Sequence, residues 1–184
     1  MSIDGRVLAA AARQLAASGY DALSLTAVAE EAGTTRQALY RRWPGKAELA
    51  AAAMTDVADR SNANETDDPF ADLVAELADF RRGVSRPGRL SLVGTMLQDS
   101  VDPDVRARYQ ARVIAPRRQR LRDILERAQE RELIDDDADI EIAITMAVGA
   151  WYARALAGDP PPRNWPRRTA QMVWRAVGGT PDQP

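Results

Sequence analysis

Between residues 36 and 46 the chain places Arg36, Arg41, Arg42 and Lys46, and no aspartate or glutamate occurs from Ala32 to Ala47. Thr34, Thr35, Gln37 and Tyr40 are interleaved with these cations. Guanidinium and ammonium groups without neighbouring acids suit a phosphate backbone, and the affinity they give falls with salt. Arg and Gln also carry the donor and acceptor pattern that reads guanine and adenine edges in a major groove. The patch is local, because residues 1–62 hold seven basic and seven acidic residues in all.

Other chemistry is poorly supplied. The 184 residues include no cysteine and no histidine. Thiol nucleophiles, cysteine-ligated zinc and the commonest general base are therefore absent from the composition. No catalytic residue, no metal ligand set and no cofactor site is expected. The acidic run Asp135–Asp137, Asp139 and Glu141 reads as an N-cap and first helical turn, where carboxylates meet the helix dipole. The basic run Arg117, Arg118, Arg120 and Arg122 reads as a solvated helix face with some salt bridging. The formal net charge of −2 averages these clusters away.

The elements that must hold the first patch are helical, as is nearly all of the rest. Ile3, Val7, Ala10, Ala11 and Leu15 form one stripe of a first helix, which Gly19 ends. Ser24 is a suitable N-cap for a short helix with Leu25, Val28, Ala29 and Ala32 on one face. Gly33 stops it, Thr34 or Thr35 starts a third helix through Leu39 and Tyr40, and Pro44-Gly45 stops that one. A fourth helix follows from about Lys46 to Arg60. Two short helices across a tight Gly turn make a helix-turn-helix, with Leu25, Val28, Ala29, Leu39 and Trp43 facing inward. Thr35, Arg36, Gln37, Ala38, Arg41 and Arg42 are then left on the outside.

The polar stretch Ser61–Asp68 reads as a linker, dividing the chain into residues 1–62 and 63–184. A fifth helix carries Phe70, Leu73, Val74, Leu77, Phe80 and Val84 and ends near Arg86-Pro87-Gly88. A shorter one covers about Leu90–Gln98. A long helix from Asp102 or Pro103 to about Glu132 is expected to kink or split at Pro116, with Asp123 and Arg127 pairing one turn apart. The helix after Asp139 is apolar all round. Ile140, Ile144, Ala147, Val148 and Trp151 line one face, and Ile142, Met146, Gly149, Ala153 and Leu156 the other. A second subunit is the economical cover for one of those faces. A last helix carries Ala170, Val173, Trp174 and Val177. The longest strongly apolar uncharged run, Ile142–Ala153, is too short to span a membrane. With no signal-like start, a soluble cytoplasmic protein is expected.

The runs Gly19–Ser24, Val28–Arg36 and Leu39–Leu49 together resemble the DNA-binding domain of TetR/AcrR-family transcriptional regulators, gap-free over about residues 3–60. The resemblance implies an all-α fold of about nine helices. It comprises a three-helix helix-turn-helix domain and a C-terminal helical domain for ligand binding and dimerisation. It implies that Tyr40 and Lys46 meet backbone phosphates and that Ser24 and Thr26 meet the other strand. Thr34 and the Thr35–Ala38 segment, with Arg41 and Arg42, would present the recognition surface to an operator in double-stranded DNA. Gln37 stands where the family has a small residue, Ala38 where it often has Ser or Thr, and Arg42 and Trp43 where His and Phe are frequent.

Arg127–Leu133, Asp135–Asp139 and Trp151–Gly158 resemble the C-terminal half of one recurrent subfamily. That likeness implies a homodimer with no membrane association and a small, largely apolar effector among the middle helices. Phe80, Met96, Leu97, Tyr109, Val113, Met146, Trp151 and Tyr152 are the lining residues expected for the effector. Ile142, Met146, Gly149, Ala153, Ala170, Val173, Trp174 and Val177 are those expected at the dimer interface. Two other classes fit less of the pattern: a helical carboxylate-based enzyme, or a dimeric scaffold using its helix-turn-helix for protein contacts.

Overall fold

The computed structural model describes residues 2–56, 65–85, 89–97, 101–159 and 161–180. The end of the fourth helix after Asp56, linker residues 61–64, the stop at Arg86-Pro87-Gly88, residues 98–100 and the last four residues lie outside these. Among the described residues every regular element is a helix: α1 (Ile3–Ser18), α2 (Leu25–Ala32), α3 (Arg36–Tyr40), α4 (Lys46–Asp56) and α5 (Pro69–Val84). They are followed by α6 (Arg89–Met96), α7 (Pro103–Tyr109), α8 (Ala115–Glu130), α9 (Ile140–Leu156) and α10 (Trp165–Ala176). Packing groups them into two units, residues 1–60 with 83–115, and residues 61–82 with 116–184.

The first unit is built from small residues. Val7, Ala10, Ala11 and Leu15 of α1 are fully buried, with Val28 and Ala29 of α2, Leu39 of α3, and Leu49, Ala50, Ala53 and Met54 of α4. Alanines at these contacts let the helix axes approach closely, and the Leu side chains fill what remains. Burying one leucine such as Leu15 contributes roughly 1.5–3 kcal/mol. Met96, Val101, Val105, Tyr109 and Val113 belong to the same cluster, so α6 and α7 pack on the helix-turn-helix core. The caps follow sequence logic. Ser2 accepts from the Gly5 amide, Ser24 from Ala27 and Thr35 from Ala38.

Pro116 falls in the first turn of α8, directly after a π-helical turn. The chain runs from α7 through one π-helical turn, Gln110–Ile114, into α8, and the Ala115 amide donates to the Gln110 carbonyl five residues back. A proline in a regular α-helix lacks one bond and drives its ring into the carbonyl four residues earlier. A widened turn just before it relieves both demands.

The second unit buries Leu73, Leu77 and Phe80 of α5, Leu121, Ile124, Leu125 and Ala128 of α8, and the Ile144–Ala147–Trp151 face of α9. Phe80 sits at the centre of an aromatic group. Its ring meets Trp151 and Tyr152 edge-on at 6.2 and 5.7 Å, and Trp165 at 6.0 Å. Asp139 caps α9 by accepting from the Ile142 amide at 2.9 Å, the role the acidic run is expected to play.

The salt bridging expected along the arginine run of α8 is extensive, and on one row it reaches a buried carboxylate instead of a solvated face. Arg120 donates twice to the buried Glu76 carboxylate, at 3.0 and 3.1 Å, and Arg117 lies 3.5 Å from it. Arg118 and Arg122 both hold Glu141 and keep its carboxyl below the ordinary glutamate value. Residues 117 and 120 are one turn apart on the row facing α5, and residues 118 and 122 on the row facing α9. Arg127 also leaves its expected partner. It binds Asp72 at 2.7 Å and Glu65 at 2.9 Å, while Asp123 accepts from Gln119.

Candidate nucleic-acid interface

The helix-turn-helix is shaped by two backbone positions. Gly33 adopts φ 65° and ψ 44°, a left-handed conformation that costs glycine nothing, and its amide closes the end of α2 onto Ala29 and Glu30. Two residues on, Thr35 is extended and starts α3 with its own hydroxyl. Leu39 is buried and anchors α3 inward, and Trp43 packs partly buried against the same core. Thr34 and Ala38 are half-buried beside α1, and Arg36, Gln37, Tyr40, Arg41 and Arg42 are exposed.

On α3 these exposed residues form two adjacent rows, Arg36 with Tyr40 and Gln37 with Arg41, each pair one turn apart. Arg36 Nη2 donates to the Tyr40 hydroxyl at 3.0 Å, and its guanidinium lies 5.2 Å from the centre of the Tyr40 ring. Gln37 and Arg41 have no acidic partner among the described residues. Arg42 is paired with Asp4 of α1. Thr26 is exposed at the start of α2, beside the Ser24 cap.

Lys46, the only lysine, opens α4. Its ammonium donates to the Asp21 carbonyl at 2.7 Å and lies 4.8 Å from the Tyr20 ring centre. It ties the α1–α2 turn to α4 while its remaining protons stay available. Burial raises the Tyr20 phenol above its ordinary value, and the nearby Asp102, Glu48 and Asp21 charges add to this. The sequence reading missed Tyr20, Asp21 and Asp4 as neighbours of the cationic patch. They are distant in the chain, and nothing in their own spacing marks them. Glu76 was also missed, yet Asp72, Glu76 and Phe80 recur at intervals of four on the apolar side of α5, and acids on such a stripe signal buried ion pairs.

The residues expected around an effector divide between the two units. Phe80, Trp151 and Tyr152 meet in the aromatic group of the second unit. Met96, Tyr109 and Val113 belong to the core of the first, and Leu97 is 79% exposed. Met146 lines a cleft of about 290 Å³ between α9 and α10, with Arg154, Trp165, Arg168 and Met172 among the other walls.

The residues expected at a subunit interface also divide. Ile142, Met146 and Ala153 are exposed and Gly149 is half-exposed. Ala170, Val173, Trp174 and Val177 are already buried within the single chain, where Trp174 meets the Phe70 ring at 5.3 Å. The stripe on α10 faces its own core, and Met172, 65% exposed, is the large apolar side chain that α10 leaves outside.

A cationic, acid-free helix surface behind a glycine turn defines a helix-turn-helix DNA-binding protein. Residues 7–53 match the model for bacterial regulatory proteins of the tetR family, and residues 63–173 match the tetracyclin repressor-like C-terminal domain. The chain belongs to the TetR family of transcriptional regulators, with an N-terminal DNA-binding domain and a C-terminal ligand-binding domain. It is 26% identical over 179 residues to the uncharacterized HTH-type transcriptional regulator YdeS of Bacillus subtilis, covering 95% of this chain and 89% of that one. The crystal structure of the TetR-family regulator SCO0332 is 26% identical with a TM-score of 0.64, over 96% of this chain and 99% of that one. Salmonella enterica GusR shares the fold at a TM-score of 0.74 and 18% identity, over 96% and 95% of the two chains. No helix among the described residues is long and apolar enough to cross a membrane.

Proposed function

We propose that this regulator is a homodimeric, cytoplasmic, non-enzymatic repressor. A small, largely apolar effector binding within residues 63–184 releases residues 1–62 from a pseudo-palindromic operator. The observation that carries the DNA-binding half is the α3 surface, where Arg36, Gln37, Tyr40 and Arg41 stand outward on a helix anchored by Leu39. Two such helices in one dimer would enter successive major grooves about 34–36 Å apart. Ser24, Thr26, Lys46 and Arg42 flank them as backbone contacts, and Thr34 and Thr35 set the start of the recognition helix.

Release follows if the effector binds one arrangement of the dimer better than the other, since only that difference moves the equilibrium. The Phe80–Trp151–Tyr152 group is the favoured seat for the effector, being aromatic and largely apolar, with Phe80 and Trp151 buried, Tyr152 half-buried and the Arg117 guanidinium 5.3 Å from the Phe80 ring centre. The exposed face of α9, with Ile142, Met146, Gly149 and Ala153, is the favoured subunit contact, joined by Met172 of α10. Exposed apolar side chains clustered on adjacent helices suit an interface core.

The first test is binding to operator-free genomic DNA across a salt series. Affinity that falls steeply with salt, and drops further in Tyr40→Ala and Lys46→Ala, supports the reading. Salt-independent or absent binding overturns it. For the dimer, sedimentation of Gly149→Arg should report a monomer, and an unchanged dimer would reject this face.

A further inference from the structure

We infer that Tyr40 is a positioning residue for base recognition as well as a backbone contact: its hydroxyl and ring set the direction in which Arg36 reads a guanine. The inference rests on α3 entering the major groove, as proposed above. Arg36 and Tyr40 lie one turn apart on the exposed side of α3, 3.0 Å from Nη2 to the hydroxyl oxygen, with the guanidinium 5.2 Å from the ring centre. Neither side chain has an acidic partner among the described residues, so Tyr40 is what orders Arg36 before DNA arrives.

The arithmetic of donors makes the pair a reader and its brace. A guanidinium has five N–H groups, and Tyr40 takes one of them. Four remain, and a bidentate contact to guanine O6 and N7 needs two. The Tyr40 hydroxyl accepts from Arg36, which leaves its own proton to donate outward to a phosphate oxygen. The same oxygen then links the backbone contact to the base contact, and hydrogen bonds in such a chain polarise one another. A free arginine would have to lose the freedom of a long side chain on binding. One held over an aromatic ring has already lost part of it.

The consequence is a base-specific role for a residue that otherwise serves every sequence alike. The measurement is selection of bound sequences from a random duplex library by the full chain and by Arg36→Ala, Arg36→Lys, Tyr40→Phe and Tyr40→Leu. The wild type should enrich guanine at one position of each half-site by about tenfold or more, the worth of a bidentate pair. Arg36→Ala should flatten that position only, and Arg36→Lys, which keeps the charge but loses the planar fork, should weaken it with the salt dependence unchanged. Tyr40→Phe, which keeps the ring and loses the hydroxyl, should cut the guanine preference at that position about threefold to fivefold, one net hydrogen bond. Tyr40→Leu should cut it further.

Uniform loss of affinity in the Tyr40 variants, with every base preference intact, would overturn the inference and leave Tyr40 a phosphate contact alone. Loss of preference at positions that Arg36→Ala does not touch would overturn it as well. If the wild type enriches no sequence at all, the recognition reading itself fails and the inference falls with it. That result is distinct because it appears before any variant is made. Thermal melting of each variant checks that the helix-turn-helix is intact, since a folding defect would lower all enrichment together.

Discussion

Two clusters of like charge stand in different relations to the rest of the molecule. In the first unit, Arg36, Gln37, Tyr40 and Arg41 cover the outer rows of α3, and Arg41 has no acidic partner among the described residues. In the second, Arg117, Arg118, Arg120, Arg122 and Arg127 of α8 all reach carboxylates, two of them buried. Charge composition does not separate the clusters, because each is a short arginine-rich run on a helix. Neighbours on other helices separate them. α5 brings Asp72 and Glu76 to α8, whereas α1 brings only Asp4 to the end of α3. Arginines that meet acids hold the fold together, and those left without them are available to an outside anion.

The strongest way to break that contrast is at Arg120. Its two hydrogen bonds satisfy a Glu76 side chain that is 1% exposed, and Arg117 sits near Glu76 without replacing them. Arg120→Ala should therefore lower unfolding stability by about 3 kcal/mol in urea denaturation, for two hydrogen bonds to a buried carboxylate at about 1.5 kcal/mol each. Changing both partners to apolar residues, Glu76→Leu with Arg120→Met, should recover most of the loss. A silent single substitution would mean that the α8 arginines resemble those of α3 after all.

Asp72 gives the second test, through pH. Burial pushes its carboxyl upward, but hydrogen bonds from Arg127 and Thr66, with the Arg127 charge, hold it below the usual aspartate value. A depressed folded pKa means the unfolded chain binds the proton more readily. This stabilisation is complete above about pH 4 and is lost as pH falls through the folded value. Asp72→Asn should cost about 2 kcal/mol at neutral pH, where it removes charge-assisted hydrogen bonds. Its stability curve should meet that of the wild type in acid. Parallel curves down to low pH would show that Asp72 carries no linked proton.

These two sites also mark where sequence alone stopped. The helices of the first unit follow from local signals. Ser24, Gly33 and Thr35 set the boundaries of α2 and α3 by side-chain and backbone preferences that act over three or four residues. The exposed cations on α3 were legible for the same reason, since the absence of nearby acids is itself a local property. Partners across space were not. The pairing of Arg117 and Arg120 with Glu76 spans more than forty residues, and a helix face that looks solvated in one dimension is covered in three. The inward turn of Val173 and Trp174 was hidden likewise, because an amphipathic stripe says that a face is buried without saying by what. The kink or split expected at Pro116 follows from its missing amide and its ring, which are local, whereas the π turn ahead of it has no signal in residue spacing.

Arg41 tests the other side of the comparison with a smaller effect. Without an acidic partner among the described residues, its removal should change folding stability by less than about 0.5 kcal/mol. Arg41→Ala should instead weaken binding to all DNA sequences alike, and reduce the slope of log affinity against log salt by about 1 for one lost phosphate contact. A loss of fold stability with unchanged DNA affinity would place Arg41 with the α8 arginines.

The smallest effect concerns the turn that aims α3. At Gly33 the backbone is left-handed, φ 65°, and a methyl group there would meet nothing within 4 Å. Packing therefore makes no demand, and the only cost is conformational. Gly33→Ala should lose about 1 kcal/mol, the penalty for an L-residue in this region. The stiffer unfolded chain offsets part of that cost. Gly33→Asn should lose less, because asparagine visits the left-handed region more readily. If the crossing of α2 and α3 is set by this residue's backbone alone, both variants should keep the wild-type salt slope on DNA, since no cation moves. A changed slope with an intact fold would show that the angle at Gly33 also governs how the free cations of α3 meet the phosphates.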